Sequence, residues 1–388
     1  MYKVHCMNNI ATVGTDQLGD DYELTSELDD ANAILVRSAK LHEVEFPKTL
    51  LAIARAGAGV NNIPLDRCAQ EGIVVFNTPG ANANAVKELV LAGMLLACRD
   101  IVGGIEWVHD NSDDPEVGKK AEKAKKQFAG HELAGKTLGV IGLGAIGANV
   151  ANAARALGMK VMGYDPYLSI NAAWSLDRSI KHVTDVNDIY AQADFITVHV
   201  PATDQTRGMI GRDAIVRMKA GIVFVNYARD VLVDEQAMAE ALASGKVARY
   251  VTDFANPASA NMKNAIVTPH LGASTAEAED NCAIMAVNEL RDYIENGNVR
   301  NSVNFGAVDL GPLAGDGRIA IFHKNVQGMI GSITQVLAET DLNIENMANK
   351  SRGDNAYTLL EVTGRLDDSI AEKIAALDNV YRVRVITR

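Results

Sequence analysis

Short runs of apolar, often β-branched residues alternate along the chain with longer stretches in which apolar residues return every three or four positions. The runs are AILVRS (33–38), LAIARAG (51–57), IVVFNT (73–78), TLGVIG (137–142), MKVMGYD (159–165), DFITVHVP (194–201), GIVFVNYAR (221–229) and RYVTDF (249–254). They are nearly continuous in apolar character rather than alternating, which predicts strands buried on both faces. Such strands separated by helices make a parallel sheet covered on both sides. One group lies before residue 100 and the other between 137 and 270, joined by a helical pattern over about 84–109. A second long helical pattern runs from Ser274 to about Asn296. Two long crossings predict an α/β chain with two Rossmann-like, doubly wound lobes and a cleft between them. The first lobe is expected at 1–95 with 286–305, the second at 96–285.

The character of the chain changes at 306–317, GAVDLGPLAGDG, which reads as a glycine-rich linker and hinge. The remaining residues, 318–388, predict strand RIAIFH, helix GMIGSITQVLAE, strands NIENMANK and AYTLLEVT, helix DSIAEKIAALD and strand YRVRVIT. In the first of these helices Met329, Ile330, Ile333, Val336 and Leu337 repeat at helical spacing. The order βαββαβ is ferredoxin-like. With both helices on one face, the other face and the edge strands are expected to be open. An open edge invites pairing with another chain, so a two-fold homodimer or a homotetramer is expected. Residues 111–127 are charged and almost without apolar side chains, which predicts a solvated loop or helix face.

Composition narrows the function classes. Among 388 residues, 37 are basic and 49 acidic, a net charge of −12, which argues against a general nucleic-acid binder. No apolar run reaches the roughly 18 residues of a membrane helix. The start, MYKVHCMNNI, lacks the pattern of a signal peptide, so a cytoplasmic location is expected. Cys6, Cys68, Cys98 and Cys282 are far apart, none in a CxxC pair, which predicts buried free thiols rather than disulfides or a metal site.

Gly142-Leu-Gly144-Ala-Ile-Gly147 follows one predicted strand and opens a helix, the context in which G-x-G-x-x-G binds a dinucleotide. Gly142 permits the tight turn, Gly144 lets backbone approach a pyrophosphate, and Gly147 allows close helix–strand packing. Asp165, at the end of the next strand, can accept from both ribose hydroxyls and would repel a 2′-phosphate, which favours NAD over NADP. His270, in IVTPHLGAST, lies between a strand and a helix, and Arg229 ends the strand GIVFVNYAR. Histidine exchanges protons near neutral pH, and arginine grips a carboxylate with two parallel hydrogen bonds. Beside a nicotinamide these groups suit redox chemistry on a carbonyl or an alcohol. Sequence alone does not bring them together.

Residues 1–305 resemble the D-isomer-specific 2-hydroxyacid dehydrogenases. The resemblance rests on ARAGAGVNNI, FNTPGANANAVKE, GKTLGVIGLGAIG, ITVHVPATDQTRGMI, VNYARDVLVDE and TPHLGAST. RSAK (37–40) points to the branch acting on a phosphorylated substrate, and the tail resembles an ACT domain in HKNVQGMIG and DLNIENM. The resemblance implies NAD-linked oxidation of 3-phospho-D-glycerate to 3-phosphohydroxypyruvate, the first step towards serine. Reduction of hydroxypyruvate or glyoxylate is the alternative, and an NAD-sensing corepressor a remoter one. It implies His270 as acid/base and Arg229 as the carboxylate's partner. Arg37, Ser38, Lys40, Gly57 and Asn82 are the further substrate positions. Ala145, Ile146, Pro201, Thr206, Ala228, Asp253, Gly272 and Ala273 join the glycines and Asp165 on the cofactor side. His323, Asn325 and Asn343 match positions that contact L-serine at a subunit interface.

Two departures stand out. Asp230 replaces the glycine of N-x-x-R-G. The family's D-V-F-x-x-E-P, whose glutamate pairs with the histidine, is here Asp253-Phe-Ala-Asn256-Pro257, two residues shorter, with Asn256 nearest the glutamate's place. An asparagine can orient an imidazole but brings no charge to it. Asn256 could orient the histidine, with Asp253 or Asp230 as its carboxylate, or the histidine works with a lower pKa.

Overall fold

The computed structural model describes residues 1–387; Arg388, the last residue of the expected tail domain, lies outside the described residues. The chain forms two compact units, Met1–Asn82 with Ala276–Arg388, and Ala83–Thr275. The first unit opens with β1 (Tyr2–Cys6), β2 (Tyr22–Thr25), β3 (Ala33–Val36), β4 (Ala52–Arg55) and β5 (Val74–Asn77). They form one parallel sheet in the order β2-β1-β3-β4-β5. Every residue of β3 is buried, as its unbroken apolar run requires. The helix Ala276–Asn296 lays Ala283, Ala286, Val287 and Leu290 against this sheet at helical spacing.

The second unit contains β6 (Thr137–Ile141), β7 (Lys160–Tyr164), β8 (Lys181–His182), β9 (Phe195–Val198), β10 (Ile222–Asn226), β11 (Val247–Thr252) and β12 (Ala265–Val267). All seven strands are parallel, in the order β12-β11-β10-β9-β6-β7-β8. The direction of winding reverses between β6 and β9, which opens a crevice at their carboxyl ends. The helix Ala83–Cys98 buries Val86, Val90 and Met94 in this unit's core, with Val150 and Val251. The second unit therefore begins at 83, not 96, and releases the chain at 275, not 285. The single helix expected over 84–109 is two, Ala83–Cys98 and Ile101–Asp110. Asp100 separates them, accepting from Gly103 N–H as the cap of the second.

The tail forms β13 (Gly317–Lys324), β14 (Asn343–Arg352), β15 (Asn355–Thr363) and β16 (Val380–Thr387). They make an antiparallel sheet ordered β14-β15-β13-β16, with helices Met329–Ala338 and Asp368–Ala375. Ile319, Ile321, Leu360 and Val362 pack with Ile333, Leu337, Ile370 and Ile374 of those helices. The opposite face is not open, contrary to expectation. Ala320, Phe322, Tyr357, Leu359 and Ile386 are buried with Tyr293, Val299, Phe305 and Val308 in the core of the first unit. The Phe305 and Phe322 rings are 5.0 Å apart, and Tyr357 donates to the Gly297 carbonyl at 2.6 Å. What stays open is the edge strand β14, exposed at most of its positions.

The glycine-rich linker is fastened rather than free. Arg318 is fully buried and pairs with Glu361 at 2.9 Å. It also donates to the carbonyls of Asn296 (2.7 Å), Gly311 (2.8 Å), Pro312 (3.0 Å) and Leu310 (3.1 Å). Glu361 in turn accepts from the Ala314 and Gly315 amides. These bonds hold its carboxyl at about 2, despite the opposing pull of burial. The expected hinge at 306–317 is thus a clasped segment.

Candidate active site

Gly142 follows β6 with φ of +91°, the left-handed conformation that favours glycine. A Cβ there would lie 2.5 Å from the His199 carbonyl oxygen. Gly147 packs so tightly that a Cβ would overlap the Gly142 carbonyl. Gly144 differs: a Cβ on it would meet nothing within 4 Å, and no side chain caps the helix Ala145–Ala156 that it begins. Gly144 and Ala145 are exposed and Ile146 is half-buried. An uncapped helix N-terminus with open space over its first residues fits a diphosphate. The Asp165 carboxylate accepts from the Leu143 and Tyr167 amides, each at 2.8 Å, and so ties the end of β7 to the glycine turn. Thr206 Oγ1 donates to the Pro201 carbonyl at 2.6 Å and accepts from Thr203 N–H at 2.8 Å, closing the loop after β9. His199, after β9, is half-buried, its imidazole held near 4 by loss of solvation, and is bonded to Thr197 Oγ1 at 2.9 Å. It is a neutral packing group.

Three neighbouring strands carry the other candidates at their carboxyl ends. After β10, buried Asn226 donates to the Arg229 carbonyl at 2.8 Å and accepts from Ala228 N–H at 3.1 Å. This bends the chain so that exposed Arg229 leaves the sheet, its guanidinium donating to the adjacent Ala228 carbonyl. After β11, Asp253 is 2% exposed and accepts from Thr268 Oγ1 (2.5 Å), Leu271 N–H (2.8 Å) and Gly272 N–H (2.7 Å). After β12, His270 adopts φ of +58° and donates its backbone N–H to the Asp253 carbonyl at 3.0 Å. A left-handed histidine is strained and needs such surroundings to hold it. Its ring is exposed and meets Phe254 edge-on at 5.4 Å. Asp253 is therefore the scaffold of the His270–Ala273 turn.

Asn256 does something else than expected. Its Oδ1 accepts from the Ala258 and Ser259 amides as the cap of helix Pro257–Ala260, and its Nδ2 donates to Glu235 Oε1 at 2.5 Å. Capping occupies Oδ1 and the bond to Glu235 one of the two Nδ2 hydrogens, and among the described residues no hydrogen bond joins Asn256 to His270, contrary to expectation. The Asp230 carboxylate accepts from Val231 N–H in its own turn, and nothing ties it to His270.

In the first unit, RSAK begins a turn after β3. Asn8 Oδ1 accepts from three successive amides, Arg37 (2.9 Å), Ser38 (3.0 Å) and Ala39 (3.1 Å). The sequence offered no signal for Asn8. Arg37 pairs with Glu279 at 2.6 Å, and Arg55 Nε donates to the Arg37 carbonyl at 3.1 Å. Gly57 has φ of +146°, and a Cβ on it would overlap the Arg55 guanidinium. Lys40 is exposed and Asn82 half-buried.

The tail does not gather its three candidates. His323 is 2% exposed, with one ring nitrogen bonded to the Lys324 carbonyl (2.8 Å) and the other to Thr358 Oγ1 (2.9 Å). Burial holds its imidazole below the ordinary range. It is a structural group, which corrects its reading as a free ligand contact. Asn325 donates to the Gly353 carbonyl at 3.2 Å. Asn343 stands opposite Thr363 on β15, whereas His323 stands opposite Ala356. Seven residues of strand separate them, about 23 Å at 3.3 Å per residue.

Comparison with known proteins places these pieces in a family. The profile described as "D-isomer specific 2-hydroxyacid dehydrogenase, NAD binding domain" matches residues 91–272. The chain is 38% identical over 291 residues to D-3-phosphoglycerate dehydrogenase of Methanocaldococcus jannaschii, covering 73% of this chain and 53% of that one. Identity to D-3-phosphoglycerate dehydrogenase of Haemophilus influenzae is 30% over 381 residues, covering 95% and 89%. Identity to hydroxypyruvate reductase of Thermotoga maritima is 36% over 313 residues, covering 74% and 97%. The chain spans about half the length of several of the phosphoglycerate dehydrogenases it matches. Among solved structures, NAD+-bound 3-phosphoglycerate dehydrogenase of Entamoeba histolytica superimposes with a TM-score of 0.61 at 27% identity, covering 78% of this chain and 98% of the other.

Proposed function

This chain belongs to the D-isomer specific 2-hydroxyacid dehydrogenases, and from that premise we propose that it oxidises 3-phospho-D-glycerate to 3-phosphohydroxypyruvate. NAD, when bound, supplies the acceptor for the hydride leaving C2. His270 takes the proton of the C2 hydroxyl, and Arg229 holds the carboxylate through paired hydrogen bonds. Asp253 acts on neither reacting atom; it fixes the turn that presents the imidazole. For the phosphate, the proposal draws on the basic groups Arg37 and Lys40 of the first unit. The observation that carries the reading is the placing of Arg229, Asp253 and His270 after the adjacent strands β10, β11 and β12.

L-Serine is the proposed effector, and its site needs two copies of the tail. Asn325 and Asn343 lie towards opposite ends of the sheet, so only an antiparallel partner, paired through the exposed edge β14, would bring them close. A homodimer or homotetramer in the cytoplasm completes the proposal.

The near-complete coverage of a hydroxypyruvate reductase favours one second reading, reduction of the unphosphorylated keto acid. NADH oxidation measured side by side with 3-phosphohydroxypyruvate and hydroxypyruvate separates the two. The first reading expects kcat/KM at least about tenfold higher for the phosphorylated substrate, one charge-assisted contact or more. Equal values, or the reverse preference, would overturn it.

A further inference from the structure

The first unit contains a cavity of about 770 Å³ between the helix Ala276–Asn296 and the turn at 298–301. Its size lies within the range of small-molecule sites. Nothing in the proposed reaction uses it. Ile284 and Met285 give it an apolar wall, and Glu289, Asp292, Arg300 and Asn301 give it polar groups.

Glu289 is the unusual member. It is 8% exposed, and among the described residues its Oε2 has no hydrogen-bond partner. Oε1 accepts from Asn301 Nδ2 at 2.6 Å. Asn301 holds φ of +49°, so the turn keeps a left-handed residue in place to make that bond. A buried carboxyl oxygen left without a hydrogen-bond partner is costly in a native fold and calls for one.

The surrounding charge indicates which partner. Arg300 is already committed, to Asp309 at 2.6 Å and Asp292 at 3.5 Å. Asp292 also accepts from the side-chain amides of Asn296 and Asn298. Asp292 and Asp309 against the single Arg300 leave the region acidic even while Glu289 is protonated. An anion would meet no free cation there, whereas a cation with several N–H groups would meet acceptors.

We propose that this cavity binds a small aliphatic ammonium ion, its N–H groups donating to Glu289 Oε2 and its methylene chain lying along Ile284 and Met285. Burial pushes the Glu289 carboxyl up to about 8, so near neutrality it carries a proton. Binding of the cation then replaces that proton: Glu289–COOH and R–NH3+ give the carboxylate–ammonium pair and release H+ to solvent. The charged groups bearing on this exchange are Asp292 on the same helix, Arg300 on the facing turn, and Asp309 through Arg300.

The test is calorimetric titration of the full chain with putrescine and with spermidine, each in buffers of different ionisation enthalpy. Proton release is expected at pH 7, and less of it as pH rises past about 8, where the Glu289 carboxyl is already ionised before the amine binds. Neutral 1,4-butanediol should not bind. Glu289→Gln keeps an acceptor for Asn301; it should abolish the proton release and weaken binding at least about tenfold, the lower end for a lost charge-assisted bond. Three results would each overturn the proposal: no binding of either amine at millimolar concentration, binding without proton release at pH 7, or unchanged affinity in Glu289→Gln. The proton count on the unaltered protein stands whether or not the variant folds, and no readout depends on turnover.

Discussion

Replacing Arg318 by methionine should loosen the clasp that joins the tail sheet to the end of the long helix. The side chain is fully buried and makes two contacts with Glu361, at 2.9 and 3.2 Å, besides its four carbonyl partners. Breaking a buried pair by removing one member costs about 3–5 kcal/mol. An independent route starts from Glu361, whose carboxyl lies near 2 against an ordinary 4.5. The difference is worth about 3 kcal/mol at neutral pH. The second figure counts all of Glu361's partners, of which the Ala314 amide, Asn346 and the Gly315 amide lower the carboxyl more than Arg318 does, so the two figures overlap and are not to be added. Hydrogen exchange of the β13 and β15 amides reads the opening of this sheet directly. Arg318→Met should speed it by about 10²-fold or more at pH 7, the equivalent of roughly 3 kcal/mol. The pH dependence has a definite sign. A carboxyl held low in the folded state stabilises fully above its ordinary value and loses that contribution as pH falls through about 2. The stability gap between the parent chain and Glu361→Gln should therefore be about 2 kcal/mol smaller at pH 3 than at pH 7. Exchange in Arg318→Met within threefold of the parent, or a gap that does not shrink in acid, would refute the clasp.

Three further outcomes follow from the second unit. His270→Asn should lower kcat about 10²–10⁴-fold while NADH affinity stays within a small factor, because the loss is one of proton transfer; near-normal turnover in a steady-state assay would remove His270 from the mechanism. Asp253→Asn should lower kcat without abolishing it, since an amide can accept fewer of the three bonds that shape the histidine turn; rescue to parental rates by Asp253→Glu would show that charge matters more than position. Asp165→Ala should narrow the preference for NADH over NADPH, and a parent chain that already uses both equally would refute the role given to this carboxylate.

Legibility in the sequence follows the range of the interactions. Strands such as β3 and β10 are readable because their residues are apolar, save Asn226 at the end of β10, and every one is buried. β1 is harder, since Lys3 and His5 interrupt its pattern, and β12 is three half-buried residues. The glycine turn is readable because its geometry admits little else. The contacts of Asn256 are only half legible, because the capping of its helix is local but its partner Glu235 lies 21 residues away. The same argument decides the linker. A glycine-rich run is consistent with either a hinge or a close crossing of chains, and local composition does not distinguish them. Here a Cβ on Gly306 would lie 2.6 Å from Lys350 Cγ, and one on Gly315 would lie 2.8 Å from the Val362 carbonyl. Those glycines are small so that the segment can press against β14 and β15, and Arg318 closes it from beneath through a glutamate 43 residues on. Motion of the tail relative to the first sheet would have to break that clasp and part the Phe305–Phe322–Tyr357 cluster. Were an effector to bind at the exposed edge of β14, as proposed, it would act on a sheet already packed into the core of the first unit, and its influence would travel through packed contacts rather than through a loose joint.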